Sequence, residues 1–214
     1  MTDALIALVV LVLGWFGVGS ALNVRRGNAA LQWLQGGLRQ VGDKATVKWI
    51  GTTAVQLGLA SAKAPFEAAE VVIFLEPRDL PWLWAFSRVR GRRDTLILRG
   101  KLSRPPVEDL ELLDASSWSG RDALRGMKDE RWSTRAPAAP GALSAYFKYE
   151  TTLARADACQ LAIRELGVPT RRLSARRNEP HLQLHTDLPA ASVDAAGFFR
   201  AVRALAEVAN RRPT

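Results

Sequence analysis

From Ala4 to Leu22 the chain reads ALIALVVLVLGWFGVGSAL, a stretch without a single charge. A bilayer admits such a segment only as a helix, because a helix satisfies its own backbone N–H and C=O groups. At about 1.5 Å per residue, roughly twenty residues match a hydrocarbon core of about 30 Å. A transmembrane anchor is therefore expected over residues 1–24. Trp15 and Phe16 fall in its C-terminal half, where an amphipathic ring reaches the membrane interface.

The flanks set the expected orientation. Only Met1, Thr2 and Asp3 precede the stretch, whereas Arg25, Arg26, Arg39, Lys44 and Lys48 follow it. The positive-inside rule puts the N-terminus outside and the rest of the chain in the cytoplasm, which predicts a single-pass protein of the cell membrane. The competing reading is a signal peptide cleaved near Gly19-Ser20-Ala21. It lacks a basic n-region, and the apolar stretch is long for an h-region. Gly17 and Ala21 form a small-xxx-small pair beside Gly14, a spacing that lets two anchors approach as a homodimer, the alternative being a lipid-facing monomer.

All thirty Lys and Arg, but only twenty of the twenty-one acids, lie after residue 24, leaving that part with a net charge of +10. This balance attracts an anionic phospholipid surface, an acidic protein or nucleic acid. An Arg- and Ala-rich bias of the whole chain would give the same excess without any partner. Cys159 is the only cysteine, so no intrachain disulfide forms, and its neighbours Ala158 and Leu161 read as a packed helix.

Residues 25–42 continue in helical style, with Leu31, Leu34 and Leu38 on one face and Gly36-Gly37 as a weak point. This juxtamembrane helix either lies on the membrane, with Trp33 anchoring it, or packs on the domain. A β-rich region over 43–135 comes next. Ala45–Ile50 and Thr53–Ala60 alternate across Gly51-Thr52 as a hairpin, and Glu70–Leu75, Asp94–Leu102 and Glu108–Leu113 read as further strands. Short helices are expected over Leu80–Val89 and Gly120–Met127. An Ala/Pro linker at 136–142 leads to an α/β region over 143–214. There Ala145–Glu150, Arg171–Arg177 and His181–Leu188 read as strands. Thr152 is read as the cap of a helix over Leu153–Leu166, and Ser192 as the cap of a helix over Val193–Asn210 with Asp194 in its first turn. The fold class is thus an N-terminal transmembrane helix followed by an α+β soluble region. Its sheet is mostly antiparallel, and it ends in a two-layer β-α-β-β-α unit.

Two clusters carry the candidate chemistry. In the hairpin RRLSARRNEPHLQLHTDL, Leu173, Ala175, Leu182, Leu184 and Thr186 share one face, and Arg172, Ser174, Arg176, His181, Gln183 and His185 the other. The second face is either an anion-binding surface, since guanidinium groups suit phosphate oxygens, or the solvated side of a half-buried sheet. The spacing of His181 and His185 would converge on a metal in a helix. In a strand they stand about 13 Å apart, too far for one ion. The run Arg88, Arg90, Arg92 and Arg93 follows Trp82, Trp84 and Phe86, a pairing typical of a membrane-interface patch and also of single-strand nucleic-acid binding, the alternative being core rings with the Arg residues at a turn. Trp15, Trp33, Trp82 and Trp84 are accordingly the candidate interfacial residues, and Arg88, Arg90, Arg92, Arg93, Arg172 and Arg176 the candidate anion-binding ones.

The sequence carries no phosphate loop, nucleophile elbow, catalytic set or cofactor motif. The expected function is a membrane-anchored, cytoplasm-facing basic binding or assembly module that meets anionic lipid or an acidic partner. The alternatives are a tethered nucleic-acid-binding protein and an enzyme without a recognisable motif.

Overall fold

In the computed structural model, residues 2–127, 131–137, 139 and 141–211 are described. Helix α1 (Thr2–Gly37) is unbroken, so the predicted anchor and juxtamembrane helix are one rod of 36 residues, roughly 54 Å long. Among the described residues none before Gly19 is buried, and this half is long and apolar enough to cross a membrane. From there Gly19, Asn23, Gly27, Ala30, Leu34 and Gly37 are buried in turn, a three-four spacing that forms one stripe along the helix. The stripe is small where the contact is tight. A Cβ on Gly19 would stand 2.2 Å from the carbonyl oxygen of Arg78, and one on Gly37 2.2 Å from that of Ala195. Residues 25–37 therefore pack on the domain through this stripe. Gly14, Gly17 and Ala21 lie on the opposite side of the rod, about half a turn away at roughly 100° per residue.

The rest builds a single nine-stranded antiparallel sheet with helices. In chain order come β1 (Ala45–Ile50), β2 (Ala54–Leu59), β3 (Phe66–Phe74), α2 (Pro81–Val89), β4 (Thr95–Leu102) and β5 (Leu110–Leu113). Then follow α3 (Trp118–Gly126), β6 (Ser133–Arg135), β7 (Ser144–Phe147), α4 (Leu153–Arg164), β8 (Thr170–Ala175), β9 (Leu182–Asp187) and α5 (Ala195–Ala209). The strand order is β1-β2-β3-β4-β9-β8-β5-β7-β6. Strands from both sides of residues 136–142 thus share one sheet, with β4 on β9 and β5 between β7 and β8.

Alternation along the strands gives the sheet two unlike faces. One carries Val55, Leu57, Val71, Ile73, Leu96, Leu98, Leu110, Leu112, Leu173, Leu182 and Leu184, all buried in one cluster with Leu34, Phe198, Phe199, Val202 and Leu205. The second half of α1, with α4 and α5, covers this face. The other face holds the polar residues of β4, β5, β8 and β9. It is covered only in part, by α3, whose Ala123 packs with Leu113 and Met127.

Three local expectations are corrected. Asp194, not Ser192, caps α5, accepting from the N–H groups of Ala196 and Gly197. Thr152 makes no capping bond, because its hydroxyl donates to Glu108 instead. Strand β3 starts at Phe66, earlier than its apolar run, since its first half is an alternating segment paired with Lys101 and Gly100.

Candidate functional site

A buried polar node fastens α1 to the loop before α2. Asp94, only 8% exposed, accepts from both Nη atoms of Arg78 at 2.9 Å, from Nη1 of Arg26 at 2.7 Å and from the N–H of Glu76 at 2.8 Å. Arg78 also donates to Oδ1 of Asn23 at 3.2 Å, and its carbonyl accepts from Nε1 of Trp15 at 2.9 Å. Burial alone would raise the Asp94 carboxyl. Donation from Arg78 and Glu76, with the charges of Arg78 and Arg26, outweighs it and holds the group below the usual carboxylate range.

The node reaches α2 through the buried carboxylate of Glu76, which accepts from Nε1 of Trp84 at 2.6 Å and from Nη1 of Arg88 at 3.2 Å. With one side of α2 tied down, Trp82, Phe86 and Val89 are left outward, 60%, 54% and 89% exposed. Their 82, 86, 89 spacing is a helical stripe. The guanidinium of Arg90 lies 4.1 Å from the centroid of the Phe86 ring, so cation and aromatic face outward together. Trp15 and Gly19 of α1 touch Arg78 and Asp79, in the turn just before α2 begins.

The second feature is a groove on the partly covered face of the sheet. It consists of two cavities of about 500 and 640 Å³ that share Asp122, Arg172 and Gln183. The first is walled by Phe74, Ile97 and Trp118, floored by Thr95, Gln183 and His185, and rimmed by Arg92, Arg93 and Arg99. Helix α3 opens on it. Ser117 caps that helix by accepting from the N–H of Gly120 at 3.0 Å. Gly120 is required there, since a Cβ would stand 2.0 Å from the carbonyl oxygen of Asp114.

Beneath the second cavity Glu111 is fully buried. It accepts from Nε and Nη2 of Arg172 at 2.9 and 3.1 Å, from the hydroxyl of Ser174 at 2.6 Å and from Nε of Arg176 at 2.7 Å. Arg171 is likewise engaged, donating to Asp187 at 2.8 and 2.7 Å and to Asp114 at 3.0 Å. By contrast, Arg92, Arg93 and Arg99 form no ion pair among the described residues. Arg92 stands 5.9 Å from the Trp118 ring, and Arg93 donates only to the carbonyls of Arg88 and Arg92.

His185 sits in the floor, 6% exposed. Burial first, then the charges of Arg172 and Arg99, push its pKa down to about 3, so the ring is neutral at pH 7. Its Nε2 lies 2.7 Å from the side-chain amide of Gln183, and its Nδ1 has no partner. His181 points elsewhere: its Nδ1 accepts from the N–H of Leu102 at 3.1 Å. Cys159 is buried, and burial pushes its thiol up to about 12, against the opposing charge of Arg155, so it is no thiolate nucleophile at neutral pH.

The sequence-derived candidates therefore divide. Trp15, Trp82 and Arg90 lie along the α1–α2 surface; Arg92 and Arg93 line the first cavity; Arg172 and Arg176 flank the second while paired to Glu111. Trp84 and Arg88 serve Glu76. Trp33 donates to the carbonyl of Val193 at 2.7 Å and packs edge-on to Phe198 and tilted against Phe199, half-buried against the core. Arg99 and Glu111 lie inside segments that the sequence marks only as strands, Asp94–Leu102 and Glu108–Leu113, and neither carries a local signal of its partners. The fold and groove define an α+β protein built on one long N-terminal helix, with a basic groove over the less covered face of its sheet. No protein-family model matches the chain, and no curated protein matches it.

Proposed function

We propose that this protein is a single-pass, membrane-anchored binding module whose folded part lies against anionic lipid on the cytoplasmic side. The observation that carries the reading is the continuity of α1: one helix is apolar and exposed before Gly19 and locked into the domain after it. With Thr2–Val18 in the bilayer, at roughly 25 Å of helix, the interface falls at Trp15–Gly19. The stripe of Trp82, Phe86 and Val89 then meets the headgroup region. There its rings suit the apolar boundary, and Arg90 attracts anionic lipid, a contribution on the order of 1 kcal/mol.

A cleaved signal sequence fits poorly with this geometry. Cutting near Ala21 would remove Gly19 and the Trp15–Arg78 bond and would split the stripe that packs on the domain. The charge asymmetry favours the cytoplasmic side. Topology reporters fused to each end of the full chain test both points. The expected result is an exterior N-terminus, a cytoplasmic C-terminus and an intact chain in the membrane fraction; an exterior C-terminus, or loss of the N-terminal reporter by cleavage, would overturn the reading.

A further inference from the structure

We propose that the first cavity of the groove binds a phosphomonoester borne on an apolar body. Arg92, Arg93 and Arg99 are three guanidinium groups without a carboxylate partner among the described residues, and Asp122 is the one unpaired acid on the same wall. The balance is about two positive charges, matching the −1.5 to −2 that a phosphomonoester carries near neutral pH. A single carboxylate would leave one charge unanswered. Planar guanidinium forks meet phosphate oxygens two at a time, which favours phosphate over a point anion.

The walls supply the second half of the ligand. Phe74, Ile97 and Trp118 form an apolar side, and the cavity of about 500 Å³ suits a small organic molecule and not a bare ion. The floor adds specificity. Thr95 and Gln183 line the cavity with Ser116, Ser117 and Ser119, side chains that can hydrogen-bond a ligand oxygen or hydroxyl. A soluble metabolite and a lipid headgroup present the same phosphomonoester chemistry to these groups, and the test below distinguishes the two sources.

The pocket stands on its own residues, so its test is separable from that of lipid docking. The full chain in neutral detergent is titrated calorimetrically with phenyl phosphate, phenol and inorganic phosphate at low salt. Phenyl phosphate is expected to bind, inorganic phosphate more weakly and phenol not at all. Arg99→Gln and Arg92→Gln should each weaken binding at least about tenfold, the loss of one charge-assisted contact. Because Arg92 is a rim residue, its variant remains informative if Arg99→Gln is unstable. Competition by a short-chain phosphatidic acid assigns the phosphate to a lipid; its failure to compete, with phenyl phosphate still bound, assigns it to a soluble compound. Absence of binding at millimolar phenyl phosphate, or unchanged affinity in both variants, would overturn the proposal.

Discussion

Replacing Asp94 with alanine is expected to destabilise the detergent-solubilised chain by about 3–5 kcal/mol, the cost of breaking a buried ion pair from one side. For a chain of this length that is a fall of roughly 6–20 °C in the unfolding midpoint. The loss leaves Arg78, whose side chain is 12% exposed, with only Asn23 and the Glu76 carboxylate at 3.5 Å, and removes the acceptor of the buried Glu76 N–H. Arg26 contributes little, since its side chain is 58% exposed and water replaces its partner. Asp94→Asn should recover part of the loss by accepting one hydrogen bond. The effect has a pH signature. The Asp94 carboxyl is held low in the fold, so its contribution is full above the unfolded value of about 3.9 and disappears as pH falls through the folded one. Wild type and variant should therefore converge below about pH 4, as read by thermal melts across pH.

The second large effect belongs to Glu111. Glu111→Ala should cost about 3 kcal/mol or more, because the Arg172 side chain is only 15% exposed and loses both of its acceptors. Arg176, at 32% exposed, turns to water and adds less. A triple replacement of Glu111, Arg172 and Arg176 by leucine should regain much of the loss in the same melting assay, since an apolar set needs no charge partner. That recovery separates a structural ion cluster from residues held for a ligand.

Much of the fold is legible in the sequence wherever the signal is local. Two-residue alternation marks β1, β2, β4, β8 and β9, and the apolar run marks the exposed half of α1. What the sequence hides is long-range. Arg172 and Glu111 are 61 positions apart, and Arg26 and Asp94 are 68 apart, so no local pattern pairs them. The insertion of β5 between β7 and β8 is invisible for the same reason. The stripe through Gly19, Asn23 and Gly27 was available but masked, since small residues at four-residue spacing read equally as an anchor's partner face. In the structure that docking stripe faces the domain, and the pair singled out from sequence, Gly17 and Ala21, faces away from it.

The candidate site was legible only in part. Aromatic–cation adjacency over Trp82–Arg93 picks out α2 correctly as a surface, but Glu76 decides which rings turn inward. The alternating hairpin locates the polar sheet face, yet it cannot reveal that Glu111 pairs with both Arg172 and Arg176. In the first cavity the cations without an ion pair among the described residues are Arg92, Arg93 and Arg99, and Arg99 lies on a strand whose alternation gives it no local mark.

The claim that α1 holds α2 against the bilayer is tested most directly by spin-label accessibility in nanodiscs containing anionic lipid. Cys159 is buried and leaves a single reactive site in Val89→Cys, on the exposed stripe, or in Lys63→Cys. Lys63 donates to the carbonyl of Arg39, so it serves as the distant control, roughly 30 Å along α1 from Gly19. The account predicts a label at position 89 that is open to oxygen and shielded from a water-soluble nickel complex, with the reverse at position 63. Nickel accessibility at both positions would contradict it.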